Sequence, residues 1–135
     1  MREIKLGIGF ATGRKNFRKV LVSYIKTWDA TKQRFPANTK VSLNLFISYD
    51  LEYHNTKSTD YTNLTQEVVD DFDNIIFLGT KNALRSIENL KKNDDFTPSE
   101  LKNVFGAGYA GKRNAILYAA IENQMDYLLF LDDDE

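Results

Sequence analysis

The stretch that decides the fold is residues 108–131, GYAGKRNAILYAAIENQMDYLLFL. Residues 108–124 are rich in alanine, isoleucine and leucine and predict a helix, and Tyr127–Leu131 is a wholly apolar segment of strand length. From Arg113 to Gln124 the helix rises by roughly 17 Å, and the strand returns by about the same distance. The start of this helix and the end of this strand are therefore predicted to meet at one edge of a sheet.

The same alternation of helix and strand runs through the rest of the chain. Strands are predicted at residues 5–10, 41–49 and 75–78, and further helices after the candidate N-cap Asn16 and at residues 83–90. Residues 50–63 are polar without a period and predict an exposed loop. Short apolar strands between helices predict an α/β fold with three layers, α/β/α, and a mostly parallel sheet in one domain, residues 1–135.

Composition excludes several classes of protein. An aromatic fraction of 13% and a formal net charge of −1 argue against disorder, and the balanced charge gives no reason to expect nucleic-acid binding. The absence of cysteine excludes disulfides and thiolate nucleophiles. Without a signal peptide or a membrane-spanning stretch, a cytoplasmic location is expected, with membrane association of a longer polypeptide left open.

Four consecutive acidic residues, Asp132-Asp133-Asp134-Glu135, follow the last strand directly. Carboxylates this close repel each other, and a divalent cation relieves the repulsion. Oxygen ligands suit Mg²⁺ or Mn²⁺, and alternation along the strand places Asp132 and Asp134 on the same side. A buried strand that delivers these side chains to the ligand edge therefore predicts a metal site at Asp132 and Asp134.

Two basic residues, Lys112 and Arg113, lie at the start of the last helix. Cations at a helix N-terminus are unfavourable unless an anion such as a diphosphate docks there. Because the helix start and the acidic run are predicted at one edge, a cation between the carboxylates and a diphosphate would complete the arrangement. The combination predicts a site for a nucleoside diphosphate.

The segment from Gly108 to Asp134 resembles the region before and through the DxD motif of family-2-type GT-A glycosyltransferases. There a glycine-rich turn precedes an Arg-Asn pair, and a helix leads into the strand that ends in DxD. The resemblance implies that Arg113 and Lys112 meet the nucleotide, that Asp132 and Asp133 lie near the ribose or diphosphate, and that Asp134 binds the metal. It also implies a Rossmann-like sheet with strand order third, second, first, last, and transfer of a sugar from a nucleotide-diphospho-sugar, with a UDP-sugar expected, to an acceptor.

The upstream part of the chain matches that family loosely. The turn after the first strand, with Ala11, Thr12 and Arg14, takes the place of a proline-containing turn near the base, and Asp50 takes the place of an acidic base contact without the usual Gly-Ser after it. In the family the general base follows the DxD strand, so no catalytic residue is expected before Glu135. The 135-residue chain is expected to be a truncated, inactive part of its parent enzyme, able to dimerise through an exposed last strand.

Other interpretations are kept or rejected on particular residues. A non-catalytic nucleotide-binding domain and a nucleotidyltransferase remain alternatives, although residues 9–14 only poorly match the glycine-rich, arginine-containing loop of the latter. Residues 106–112 match the spacing of a P-loop, but Arg113 stands where Ser or Thr would bind Mg²⁺. The glycines at positions 7 and 9 fall inside a predicted strand, which favours packing over a dinucleotide-binding turn.

Overall fold

A computed structural model describes residues 2–12, 17–31, 34–49, 59–79, 85, 88–90, 92, 97–104 and 109–131. Within these residues, four strands form one sheet: β1 (Arg2–Thr12), β2 (Thr39–Tyr49), β3 (Asn74–Leu78) and β4 (Tyr127–Leu131). All neighbouring strands are parallel, and their order is β3-β2-β1-β4. The α/β class, the parallel sheet and the strand order are confirmed.

The described helices are α1 (Phe17–Thr31), α2 (Thr59–Thr62), α3 (Gln66–Asp71), α4 (Pro98–Val104) and α5 (Tyr109–Glu122). Residues 85 and 88–90 are also helical, within the helix predicted at 83–90. α4 begins at Pro98 because the Thr97 hydroxyl accepts a hydrogen bond from the Glu100 amide and donates one to the Glu100 carboxylate. None of these helices is long and apolar enough to cross a membrane.

Two aspartates fix where β3 and β4 start. The Asp73 carboxylate accepts a hydrogen bond from the Leu43 amide, and the Asp73 amide donates to the Leu43 carbonyl. Asp126 forms the same pair of hydrogen bonds with Lys5. Each aspartate lies one residue before its strand and is bonded through both its side chain and its backbone to the neighbouring strand. These bonds fix the register of β3 against β2 and of β4 against β1.

One face of the sheet packs against α1, α2 and α3. The alternate residues of β1 and β2 point to this face, and α1 covers them with the apolar stripe that its period predicted. The residues of this core that lie on β1, β2 and α1 are Ile8, Phe10, Leu43, Leu45, Ile47, Phe17, Val20, Leu21 and Ile25.

The opposite face packs against α5, which brings Ile116, Ala119 and Ala120 onto Phe46 of β2. The helix approaches closely because β1 carries glycine here: a Cβ on Gly9 would lie 2.7 Å from Ile116 Cγ2. Gly9 therefore serves helix packing, and a Cβ on Gly7 would instead meet the side chains of Leu128 and Phe46 within the sheet, so both glycines have the packing role that was predicted for them. Helices cover both faces of the sheet.

The predicted loop at residues 50–63 is wrong for residues 59–62, and residues 50–58 lie outside the described part of the chain. Residues 59–62 form α2, in which Tyr61 is fully buried between Phe17 and Tyr49. The polar residues on both sides of Tyr61 in the sequence give no apolar period that would have predicted its burial. The helix α3, which follows at Gln66, was also not predicted.

The prediction of a buried last strand is wrong for Tyr127 and Leu129, whereas Leu131 on the same face packs against the core. Leu128 and Phe130 pack under α5, but Tyr127 is 59% exposed and Leu129 is 52% exposed. Among the described residues, β4 pairs with β1 alone, and α1 does not extend over these two side chains. An apolar sequence therefore forms an edge strand.

Candidate ligand-binding edge of the sheet

The carboxyl ends of all four strands lie at one edge, because the sheet is parallel. β2 and β3 lie on one side of β1, and β4 lies on the other. The strand order thus reverses between β1 and β4, whose last residues are Thr12 and Leu131. In open α/β sheets, ligands bind outside the carboxyl ends at such a reversal point.

Arg113 extends from the first half of α5 onto the end of β4. Its guanidinium carbon lies 4.5 Å from the centroid of the Phe130 ring, which is a cation–π geometry. Phe130 is paired with Gly9 in the sheet and precedes Asp132 by two positions in the sequence. The start of the helix and the end of the strand therefore meet, as their lengths predicted.

Asn114, next to Arg113, has a structural contact of its own. Its side-chain amide donates a 2.9 Å hydrogen bond to the carbonyl of Val104 at the end of α4. The bond ties the end of α4 to the first two turns of α5, which carry Lys112 and Arg113. The sequence analysis included Asn114 in the Arg-Asn pair but did not predict this hydrogen bond. Its partner lies ten residues upstream, which is not a spacing that helix or strand periodicity brings together.

The two predicted contacts at the end of β1 have buried side chains. Ala11 packs in the core beneath α5 with Phe46 and Ile116, and Thr12 is buried on the other face of the strand. A ligand at this edge would meet the backbone of these two residues, because their side chains are enclosed. Their predicted role in nucleotide binding stays a prediction.

An aromatic stack, which the sequence did not reveal, stands at the carboxyl end of β2. The rings of Tyr49 and Tyr61 are parallel within 10° at a centroid distance of 5.0 Å, and Tyr61 lies 5.8 Å from Phe17. Gly79 makes room for it: a Cβ there would lie 2.8 Å from the Tyr49 hydroxyl. The stack lies at the end of β2, the strand after which Asp50 was predicted to contact the base.

Five predicted site residues lie outside the described part of the chain: Arg14, Asp50, Asp132, Asp133 and Asp134. Within the described part, no group of three or more histidine, aspartate or glutamate side chains could hold a metal ion. The metal site at Asp132 and Asp134, and the cofactor Mn²⁺ or Mg²⁺, therefore stay predictions that rest on the sequence.

Two cavities lie away from this edge. One, of about 190 Å³, lies beside the second half of α5 and has Arg85, Tyr118 and Glu122 in its wall. Burial raises the pKa of the Tyr118 phenol, and the Glu122 carboxylate adds to the effect. The other, of about 310 Å³, lies between the amino end of β2 and the acidic end of α3, where Asp73 is already bonded to Leu43.

The amino-acid sequence and the fold were also compared with known proteins. No protein-family model, no curated protein and no solved structure matches this chain.

Proposed function

We propose that this chain is the donor-binding part of a metal-dependent GT-A glycosyltransferase, which transfers a sugar from a nucleotide-diphospho-sugar to an acceptor. The observation that carries the proposal is the position of Arg113, held over Phe130 at the carboxyl end of β4. Phe130, which the guanidinium covers, precedes the acidic run that begins at Asp132 by two positions in the sequence. A diphosphate between a guanidinium and a carboxylate-bound metal would satisfy both charges.

The sheet supports the same proposal. Its order, β3-β2-β1-β4, is that of the first four strands of a Rossmann-like sheet, in which nucleotides bind at the reversal point between the first and fourth strands. Arg113 is held beside this point. The strand order favours nucleotides in general, and the acidic run after β4 narrows the proposal to a donor with a metal-bridged diphosphate.

Each residue of the proposed site has a distinct role. Arg113, with a planar fork of donors, grips the diphosphate oxygens, and Lys112 adds a second positive charge. Asp132 and Asp134 would hold Mn²⁺ or Mg²⁺, and Asp133 would contact the ribose or diphosphate. The metal, when bound, supplies Lewis-acid stabilisation of the leaving diphosphate. The backbone of Ala11 and Thr12 would contact the nucleoside, together with Arg14 and Asp50, which follow β1 and β2 in the sequence.

Diphosphate binding is expected to depend on the metal. Titration calorimetry with UDP should show affinity at least tenfold weaker in EDTA than with Mn²⁺, a difference of about 1.4 kcal/mol. Asp134→Asn should remove the dependence on Mn²⁺, because an amide oxygen is a much weaker ligand than a carboxylate. Glu67→Gln on α3, which removes the same charge at an exposed distant site, is the matched control.

Equal UDP affinity with and without Mn²⁺ would contradict the metal-bridged site and favour a nucleotide-binding domain without metal. Parallel titrations with GDP, CDP and dTDP identify the base. Binding of a nucleoside triphosphate in strong preference to every diphosphate would favour the nucleotidyltransferase alternative.

Arg113→Met is expected to weaken UDP binding about tenfold, because it removes a charged bidentate donor from the diphosphate. The methionine still covers Phe130 and suits a helix, so the free energy of unfolding should change by less than about 0.5 kcal/mol. Lys19→Met on α1 removes the same charge from an exposed residue and controls for net charge. Calorimetry and urea denaturation provide the two readouts.

A large loss of stability in Arg113→Met, with UDP affinity unchanged, would make Arg113 a purely structural residue. The proposed site would then lose the observation that carries it.

A further inference from the structure

The outer edge of β4 is an apolar surface without a partner among the described residues. β4 forms hydrogen bonds with β1 on one side, and no described strand pairs with its other side. Tyr127 and Leu129 are more than half exposed on the α1 face of this edge. The amides and carbonyls on the outer side of such a strand are a template for pairing with another strand.

The other face of the same edge is also apolar. Arg113, Leu117 and Ile121 are spaced four apart and share one stripe of α5, and Arg113 places that stripe on the β4 side of the helix. Leu117 is 44% exposed and Ile121 is 74% exposed. Apolar side chains therefore border the strand edge on both faces of the sheet.

The edge lacks the features that normally keep edge strands apart. Lysines, prolines, bulges or inward-pointing charges prevent pairing in many proteins. Tyr127–Leu131 is YLLFL, with no charge and no proline, and its pairing with β1 is regular along all five residues. A five-residue apolar edge of this kind favours pairing over exposure to water.

We propose that two copies of this chain associate through β4, with the two strands antiparallel and Leu129 on the two-fold axis. In this register Leu129 opposes its own copy, Tyr127 opposes Leu131 of the second copy, and Leu128 opposes Phe130 of the second copy. Every cross-strand pair within Tyr127–Leu131 is then apolar on both faces of a continuous sheet, and the pairing has to end before Asp126 and Asp132, whose like charges would otherwise be opposed. The strand is thus complementary to itself, as a two-fold interface requires.

The proposed interface is small. Tyr127, Leu129, Leu117 and Ile121 are its exposed apolar side chains, and even if they and the strand edge were fully covered the dimer would bury at most about 1,000 Å² in total, near the lower limit for a specific interface. We expect the association to be weak, with half-dimerisation between about 1 and 100 µM, because so small an interface must also offset the lost freedom of two chains.

Single cysteines test the register directly, because the chain has no cysteine. Opposed residues of antiparallel strands have Cα atoms about 4.5–5.5 Å apart, which a disulfide spans. Leu129→Cys should cross-link to its own copy under mild oxidation. Tyr127→Cys, which is as exposed, should not, because the two copies of position 127 lie about 14 Å apart.

Sedimentation equilibrium tests the association itself. Leu129→Lys places two like charges on the two-fold axis and should weaken dimerisation at least tenfold, while circular dichroism shows an unchanged fold because Leu129 is half exposed. Val69→Lys on α3, which is also an exposed apolar residue, is the matched control and should dimerise like the original chain. A monomer at about 300 µM, or equal cross-linking of both cysteine variants, would overturn the proposal and assign the edge to a different partner.

Discussion

Tyr61→Ala is expected to lower the free energy of unfolding by about 3–5 kcal/mol, the range for removing a buried aromatic ring. Tyr61 is fully buried and stacks on Tyr49 and Phe17, so its loss opens a cavity between β2, α1 and α2. Stacked pairs add about 0.5–1.5 kcal/mol beyond the area they bury. Urea denaturation, followed by circular dichroism, measures the change.

Phe35→Ala is the matched control for this prediction. Phe35 also contacts an aromatic ring, that of Trp28 at 5.6 Å, but it is 37% exposed. Truncating a partly solvated ring should cost less than about half as much as truncating the buried one. If Tyr61→Ala and Phe35→Ala cost the same small amount, residues 59–62 behave as the exposed loop that the sequence predicted.

Gly9→Ala is expected to destabilise the protein by about 1–3 kcal/mol, although alanine is usually favoured over glycine in a strand. The new Cβ would lie 2.7 Å from Ile116 Cγ2, and Ile116 is fully buried and cannot turn away freely. Alanine lowers the conformational entropy of the unfolded chain, which stabilises the folded protein by only about 0.4–1 kcal/mol. The clash therefore outweighs the gain, and the melting temperature should fall by several degrees.

A double-mutant cycle with Ile116→Ala tests the cause. Ile116→Ala alone should cost about 2–5 kcal/mol because it leaves a cavity beneath α5. In the double variant the methyl group added at position 9 occupies part of that cavity without a clash, so the combined cost should be at least about 1 kcal/mol less than the sum of the single costs. Strict additivity would show that Gly9 is required for a reason other than the approach of α5.

Much of the fold could be predicted because the spacing of apolar residues along a helix or strand indicates which of its sides is buried. The apolar spacing of Phe17, Val20 and Leu21 located α1, and the alternation of Leu43, Leu45 and Ile47 located the buried face of β2. The unbroken apolar run Tyr127–Leu131 located β4 but overstated its burial, since an edge strand with one covered face carries the same residues as a central one.

The candidate site was predicted in outline for a similar reason. The lengths of the last helix and strand placed Arg113 near the end of β4, and the contact with Phe130 agrees with that arithmetic. The aromatic stack of Tyr49 and Tyr61 was missed, because polar residues surround Tyr61 and its partners lie on other elements. The spacing of residues within one segment cannot predict a contact between side chains on different segments.

The sequence by itself determined the alternation of helices and strands. The buried face of a helix repeats about every 3.6 residues and that of a strand every two, so apolar residues recur at these spacings. It also placed acidic residues after the last strand and basic residues at the start of the last helix. Only the tertiary structure decided that Gly9 admits Ile116, that Tyr61 belongs to the core and that Leu129 is left half exposed by the rest of the sheet. These outcomes depend on which segments meet across the sheet, and that is settled by packing between residues far apart in the chain.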